Sequence, residues 1–320
     1  MKAIKAIKAM TIAAAIGVNG ATAYAADMTI GVPGWPSGAA TAYIIKTVME
    51  DNLGLEVAMQ SGTNAVIFEA MDRGSIDVHP QVWLPNQNNL YQKYVKERGT
   101  VLQNDHGVVA KQGICVTKET SEKYNIKSIY DLTDPDKSVV FDTNGNGLGE
   151  MWIGEPGAAS TVVERVRAKS YGYNQTMELV STDTPINWAA LEVAVKAHKP
   201  YAFFCYTPHY VFSLYDLVFL EEPEHNKDTW KTLQPTDDPD WMAKSNADSA
   251  WPEARLYVDY SKSLQERHPE AGMVLKNFKI NAKIVSDLSY AMVVDKKDPE
   301  TLAREWVDEH SDLVESWLGL

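Results

Sequence analysis

The stretch Met28-Thr29-Ile30-Gly31-Val32-Pro33-Gly34-Trp35-Pro36-Ser37-Gly38 decides the fold, because it runs from a strand through a tight loop into a helix. Met28 to Val32 is apolar and partly β-branched, as a strand requires, and Pro33, Gly34 and Pro36 end it. Ala39 to Asn52 then reads as a helix. The same alternation recurs downstream: Leu55 to Gln60 as a strand, Asn64 to Arg73 as a helix, and Ser75 to Val82 as a strand ending at Trp83-Leu84-Pro85. Alternating strands and helices predict an α/β array with a mainly parallel sheet. In open sheets of this kind ligands bind outside the carboxyl ends of the strands. Five aromatic residues, Trp35, Trp83, Trp152, Trp188 and Tyr206, are each expected just past such an end.

Working outward, Val101 to Val116 is a long β-prone stretch suited to crossing into a second lobe. There the strands are expected at Ser138 to Asp142, Met177 to Ser181 and Tyr201 to Tyr206, with helices near Ala159 to Ser170 and Trp188 to Ala197. Leu217 to Leu220 is expected to return toward the first lobe. Glu221 to Glu253 is polar, rich in Pro, Asp and Asn and without a clean period, so it reads as a long loop or insertion. Regular patterning resumes at Leu256 to Tyr260, followed by helices over Ser261 to Lys276 and Pro299 to Leu318. A chain of this length exceeds one ordinary hydrophobic core, which favours two lobes. The expected division is residues 26–115 with 217–320 as lobe 1, carrying the insertion 221–253, and residues 116–216 as lobe 2.

Residues 1–25 read as a signal peptide. Lys2, Lys5 and Lys8 form a basic start, Ala9 to Val18 an apolar run, and Ala23-Tyr24-Ala25 a small-x-small cleavage site. The run is shorter than the ~20 residues a bilayer span needs, so export to the periplasm is expected rather than anchoring. The formal net charge is −13, and losing the three leader lysines would make it −16. Such acidity argues against nucleic acid or anionic lipid as a partner, since both need basic surface. The two cysteines, Cys115 and Cys205, lie in apolar strand-like segments. Either a disulfide between neighbouring strands or two buried thiols suits an oxidising compartment.

Nine tryptophans need an explanation. Trp306 and Trp317 share a helical face with Leu302 and Leu313, the spacing of core packing. Trp230, Trp241 and Trp251 fall in the polar insertion and are expected to pin it to the body. The other four, with Tyr206, repeat at one topological position in both lobes, which favours a shared cleft over separate packing roles. A box of ring faces suits a methylated ammonium group, each face offering roughly 0.5 to 2 kcal/mol once water is excluded. Association costs roughly 4 to 15 kcal/mol, so closure of two lobes is needed to complete the contacts.

Glu155, in Trp152-Ile153-Gly154-Glu155-Pro156-Gly157, is the most discriminating polar residue. Inside the aromatic box it would repel a ligand carboxylate, accept from a hydroxyl, or share a proton with an N-oxide if burial raised its pKa. Outside the box it is a solvated loop glutamate. Asp142-Thr143-Asn144-Gly145-Asn146-Gly147-Leu148-Gly149-Glu150 has the pattern of a calcium loop, with Asp142, Asn144, Asn146, Leu148 and Glu150 as ligands to a structural Ca2+. Ile153 stands where the bidentate Glu belongs, and the alternative is a pair of Asn-Gly turns without metal. There is no phosphate loop, no Gly-x-Ser-x-Gly elbow and no His-Glu-x-x-His, so no catalytic residue is assigned. His209 follows Tyr206-Thr207-Pro208 and is a weak candidate neighbour of the site.

On these residues the chain resembles the periplasmic substrate-binding proteins of glycine betaine and proline betaine ABC importers. The resemblance rests on the Gly-Val-Pro-Gly-Trp start, Phe141 to Gly147, the Gly154-Glu155-Pro156-Gly157 turn and Tyr206-Thr207-Pro208-His209-Tyr210. The family usually carries Trp where Tyr206 stands. Glu155 and the added Trp188 make the chain most similar to trimethylamine N-oxide binding members. The resemblance implies a type II two-lobed binding fold with ligand in the hinge cleft, and delivery to a membrane permease driven by a cytoplasmic ATPase. It assigns the ligand contacts to Trp35, Trp83, Trp152, Trp188, Tyr206 and Glu155. The expected protein is a monomeric, non-enzymatic binder of a small methylated amine, trimethylamine N-oxide first, with glycine betaine, choline or carnitine as alternatives. A secreted enzyme acting on methylated amines is the competing class.

Overall fold

The computed structural model describes residues 26–320, and the expected signal peptide lies outside the described residues. Ten strands form one curled sheet: β1 (Met28–Val32), β2 (Val57–Ser61), β3 (Val78–Leu84), β4 (Val101–Gln103), β5 (Val108–Thr117), β6 (Gly149–Trp152), β7 (Met177–Val180), β8 (Ala202–Thr207), β9 (Leu217–Phe219) and β10 (Ala254–Ser261). Their order is β2-β1-β3-β10-β5-β8-β6-β7, with β4 on β10 and β9 on β5. The opening stretch folds as expected. Trp35 is the N-cap of the helix Pro36–Leu53, whose proline occupies the first turn, where a missing N–H costs nothing.

The mainly parallel sheet expected in each lobe is realised only at the outer ends. β1 runs parallel to β2 and β3, and β6 runs parallel to β7 and β8. The middle is antiparallel: β10 against β3, β4 and β5, and β5 against β8 and β9. The cause is topological. The chain enters the second lobe along β5 and comes back along β10, and two crossings in opposite senses must lie antiparallel. β5 serves both lobes, pairing with β10 through Val108 to Ala110 and with β8 through Lys111 to Val116.

Each lobe has its own core. Ile30, Ile45, Val48, Val78 and Leu275 pack with Trp306 and Trp317 in the first. Ile114, Met151, Val163, Tyr173 and Phe203 pack in the second. Cys115 and Cys205 are joined by a disulfide linking β5 to β8 inside that second core, which settles the pairing left open above.

Five expectations change. Ser138 to Asp142 is not a strand: Pro135–Ser138 is a helical turn and Val139–Phe141 a 3-10 turn, because Asp134 caps the first through the Asp136 N–H at 3.0 Å. The final helix is two, Pro299–Glu309 and Ser311–Leu318, and the helix expected over Ser261 to Lys276 is also two, the second starting at Pro269. Leu217 to Leu220 does not return to the first lobe, since β9 pairs with β5 at Cys115 to Thr117. The polar insertion therefore packs on the second lobe, against the helix Ala159–Tyr171. Its anchor is a buried charge cluster: Arg167 pairs with Glu222 at 2.5 Å, donates to Ser249 O at 2.7 Å, and lies 2.9 Å from Glu164, which accepts from Trp251 at 2.6 Å. Buried charges persist when opposite charges pair with them in this way, even though Arg167 Nε makes no hydrogen bond of its own.

Candidate functional site

The two halves of the sheet meet at a cleft whose walls carry Trp35, Trp83, Trp152, Tyr206 and Glu155. Trp35 projects from the loop after β1. Its indole Nε1 donates to Gln81 Oε1 at 2.6 Å, and the same oxygen accepts from Ser37 Oγ at 2.8 Å, so the ring edge is pinned. Trp83 sits on β3, edge-on to Tyr206 of β8, with centroids 5.1 Å apart and planes at 81°. This contact joins the two lobes across the hinge. Trp152 closes β6 and donates from Nε1 to Thr182 O at 3.0 Å. Burial, together with the neighbouring charge of Glu155, pushes the Tyr206 phenol far above its ordinary value, so it stays a neutral donor.

Trp188, expected among the cage rings, does not line the cleft. It lies on the helix Thr184–Lys196 rather than past a strand end. Its ring backs Trp152 at 5.7 Å and packs against Phe203 at 5.8 Å and His209 at 4.5 Å. Proline in the first turn starts that helix earlier than the tryptophan suggests. Trp83 and Tyr206 lie within their strands rather than beyond them, near the carboxyl ends at Leu84 and Thr207. His209 also stands behind the wall, 5.0 Å from Tyr206, and burial holds its pKa down at about 3.

Glu155 is inside the cleft rather than solvated. Its backbone is fixed by neighbours: Thr161 Oγ1 donates to Glu155 O at 2.7 Å and Ser181 Oγ to Gly154 O at 2.9 Å. Gly154 adopts φ 124°, and a Cβ there would lie 2.3 Å from Thr161 Oγ1, so only glycine delivers the chain to this point. The carboxylate accepts from Thr184 Oγ1 at 2.8 Å and reaches across to the first lobe, where a Cβ added at Gly34 would lie 3.2 Å from both its oxygens. Desolvation raises its pKa, the Thr184 hydrogen bond opposes this, and the nearby Asp183 charge adds to the rise.

Several polar lining residues carry no sequence signal beyond a run of amides after Trp83. Asn86 and Gln112 exchange hydrogen bonds of 2.5 and 2.9 Å, tying the loop after β3 to the crossing strand. Asn64, Gln87, Ser160 and Thr184 complete the polar part of the wall. Among the described residues, none that lines the cleft is Lys, Arg or His. Such a cavity offers ring faces to a diffuse cation and a carboxyl beside amides to one oxygen, while giving a ligand carboxylate no cationic partner.

The expected calcium loop is a turn that satisfies itself. Asp142 accepts from the N–H groups of Asn144 at 3.1 Å, Gly145 at 2.6 Å and Gly147 at 2.8 Å. Asn144 Oδ1 accepts from Asn146 N and Asn146 Oδ1 from Leu148 N, while Glu150 Oε1 takes Asn144 Nδ2. The side-chain oxygens assigned to metal are spent on the chain's own donors, which hold Asp142 below the ordinary carboxylate range. Among the described residues no group of three or more His, Cys, Asp or Glu is placed to hold a metal ion. Ile153, where the bidentate ligand belongs, is instead buried in the second core.

Residues 26–309 match the family model for the substrate binding domain of the ABC-type glycine betaine transport system. The glycine betaine/proline betaine-binding periplasmic protein of Salmonella typhimurium is 24% identical over 223 residues, 65% of this chain and 64% of its own length. The match thus spans a little under two thirds of that relative. The glycine betaine-binding periplasmic protein OusX of Dickeya dadantii is 24% identical over 248 residues, 74% of this chain and 72% of its own. Two solved structures share the architecture. Lactococcal OpuAC, closed and complexed with glycine betaine, has a TM-score of 0.70 at 24% identity over 91% of this chain and 98% of its own. An ABC-transporter choline binding protein in complex with choline has 0.72 at 17% identity, covering 91% of each chain. The fold is therefore the mixed α/β two-lobed fold of periplasmic binding proteins.

Proposed function

The chain belongs to the substrate-binding family of ABC-type glycine betaine transport systems, and from that premise we propose that it captures a small methylated amine, trimethylamine N-oxide foremost, and delivers it to a membrane permease driven by an ATPase. The named relatives are binding proteins rather than enzymes, and those from Salmonella and Dickeya are called periplasmic, the compartment proposed here. The observation that carries the ligand assignment is the Glu155 carboxyl between aromatic walls in a cleft with no basic residue. Trp35, Trp83, Trp152 and Tyr206 receive the methyl groups, with Trp188 supporting Trp152 from behind. At roughly 0.5 to 2 kcal/mol a face, four rings offset much of the association cost. Because desolvation favours the protonated carboxyl, Glu155 can share one proton with an N-oxide oxygen. A betaine carboxylate would bring a second acceptor to the same place.

Choline is the second reading, since its hydroxyl donates directly to an ionised Glu155. The two differ in pH dependence. N-oxide binding needs the proton and weakens as pH rises through the raised Glu155 pKa; choline binding needs the carboxylate and weakens as pH falls through it. Titration calorimetry with trimethylamine N-oxide, choline, carnitine and glycine betaine across a pH series tests this. Tightest binding to glycine betaine would remove the N-oxide assignment.

A further inference from the structure

Asn64 begins the helix Asn64–Asp72, is 8% exposed, and lines both the cleft and the groove beside it that also carries Gly34, Trp35 and Glu155. Behind it lies His79 on β3, fully buried between the rings of Phe68 at 5.7 Å and Trp35 at 6.4 Å. The backbone N–H of Gln81 donates to His79 Nδ1 at 3.3 Å, so Nδ1 is the bare nitrogen and Nε2 carries the proton. That proton is directed at Asn64 Oδ1, 3.0 Å away. With its oxygen engaged at the rear, Asn64 has only its Nδ2 hydrogens to offer the ligand.

We propose that Asn64 is a specificity-determining residue that donates to the oxygen of the ligand, with His79 as the positioning residue that turns its amide donor-side inward. The inference rests on the methylated-amine reading and adds a group from the first lobe. Glu155 would hold the ligand oxygen from the second lobe, so one oxygen is gripped from both sides only when the lobes close. Burial keeps the His79 pKa at about 3, so the imidazole stays neutral and holds the tautomer that orients the amide.

The probes are trimethylamine N-oxide and tetramethylammonium, which replaces the oxygen by a methyl group and so tests the rings alone. Calorimetric titration of the full chain gives the ratio of the two affinities. In Asn64→Leu that ratio is expected to fall about two- to ten-fold, the range of one neutral hydrogen bond. His79→Phe should lower it in the same direction, and His79→Gln, which restores an N–H toward Asn64 Oδ1, should recover it. Asn64→Asp keeps the shape and swaps donor for acceptor; its ratio should also fall, and it serves where the leucine variant does not fold. An unchanged ratio in folded Asn64 variants overturns the proposal while leaving the methylated-amine reading intact. Equal ratios in His79→Phe and His79→Gln overturn the positioning role. A wild-type chain that binds neither probe overturns both readings together.

Discussion

Replacing Glu155 by Gln separates proton sharing from simple polarity at the cleft. The wild-type carboxyl is partly withdrawn from water, faces Asp183, accepts from Thr184 Oγ1 and lies near the Tyr206 phenol, which stays neutral. Its folded-state pKa is therefore raised above the unfolded one. A raised carboxyl pKa contributes stability that is fully present below the unfolded value and lost as pH rises through the folded value. Above that raised pKa the ionised group thus opposes folding of the empty protein, and Glu155→Gln should raise its melting temperature there but not in acid. For trimethylamine N-oxide the wild-type affinity should fall by up to about tenfold per pH unit above the folded pKa, since each unit costs about 1.4 kcal/mol of protonation. The amide donates at every pH, so the variant should lose that slope. At the acid end it should bind the N-oxide somewhat more weakly, by the difference between a charge-assisted and a neutral hydrogen bond, about 1 kcal/mol or five-fold. Choline should lose more, about ten-fold or greater above the folded pKa, having lost its anionic acceptor. Calorimetry of both proteins over the same pH series reads all of these. Identical pH slopes for wild type and Glu155→Gln would refute the shared proton.

Other expectations follow from the same geometry. Trp152→Ala should cost more than about tenfold in affinity for any methylated amine, because it removes a cage face and the support that Trp188 gives it; calorimetry checks this. Trp317→Ala, in the first core against Phe278 at 4.6 Å, should lower unfolding free energy by about 3 to 5 kcal/mol in denaturant titration with little change in affinity. Replacing Cys115 and Cys205 together by Ala opens a loop with a sequence separation of 90 and should destabilise by about 4.5 kcal/mol in the chain-entropy account, read by the same titration. A chelator should leave the melting curve unmoved, since Asp142 is saturated by backbone donors; a drop would restore the calcium reading.

The first half of the molecule was legible because its strands and helices follow one another with clear punctuation, and Pro36 and Gly54 bracket the helix after Trp35. The crossing at Val101 to Val116 was legible as unusual β length, although the chain breaks it into β4 and β5. Ser138 to Asp142 misled because β-branched residues outvote a local cap only when a strand partner exists, and none is supplied there. Trp188 misled because a tryptophan on a buried helix face and one on a cleft wall look alike without the helix start. The insertion went to the wrong lobe because its anchor, Arg167, lies far away in sequence and its partner Glu222 looks like one more surface charge. The polar side of the cleft was hidden for a similar reason: Asn64, Asn86 and Gln112 act through pairings between separate elements.

A last consequence concerns β5, which belongs to both lobes. Rotation about a ribbon displaces each atom in proportion to its distance from that axis. Were the lobes to close by rotation about that ribbon, Gln112 and Tyr206, paired across β5 and β8 immediately beyond the handover from β10, would lie near the axis and move little. Gly34 and Glu155, which face each other from opposite lobes, would then lie farther out and move more. On the proposed function, an arriving solute would meet a floor already assembled, and the rim proposed to hold its oxygen would be completed afterwards, around it.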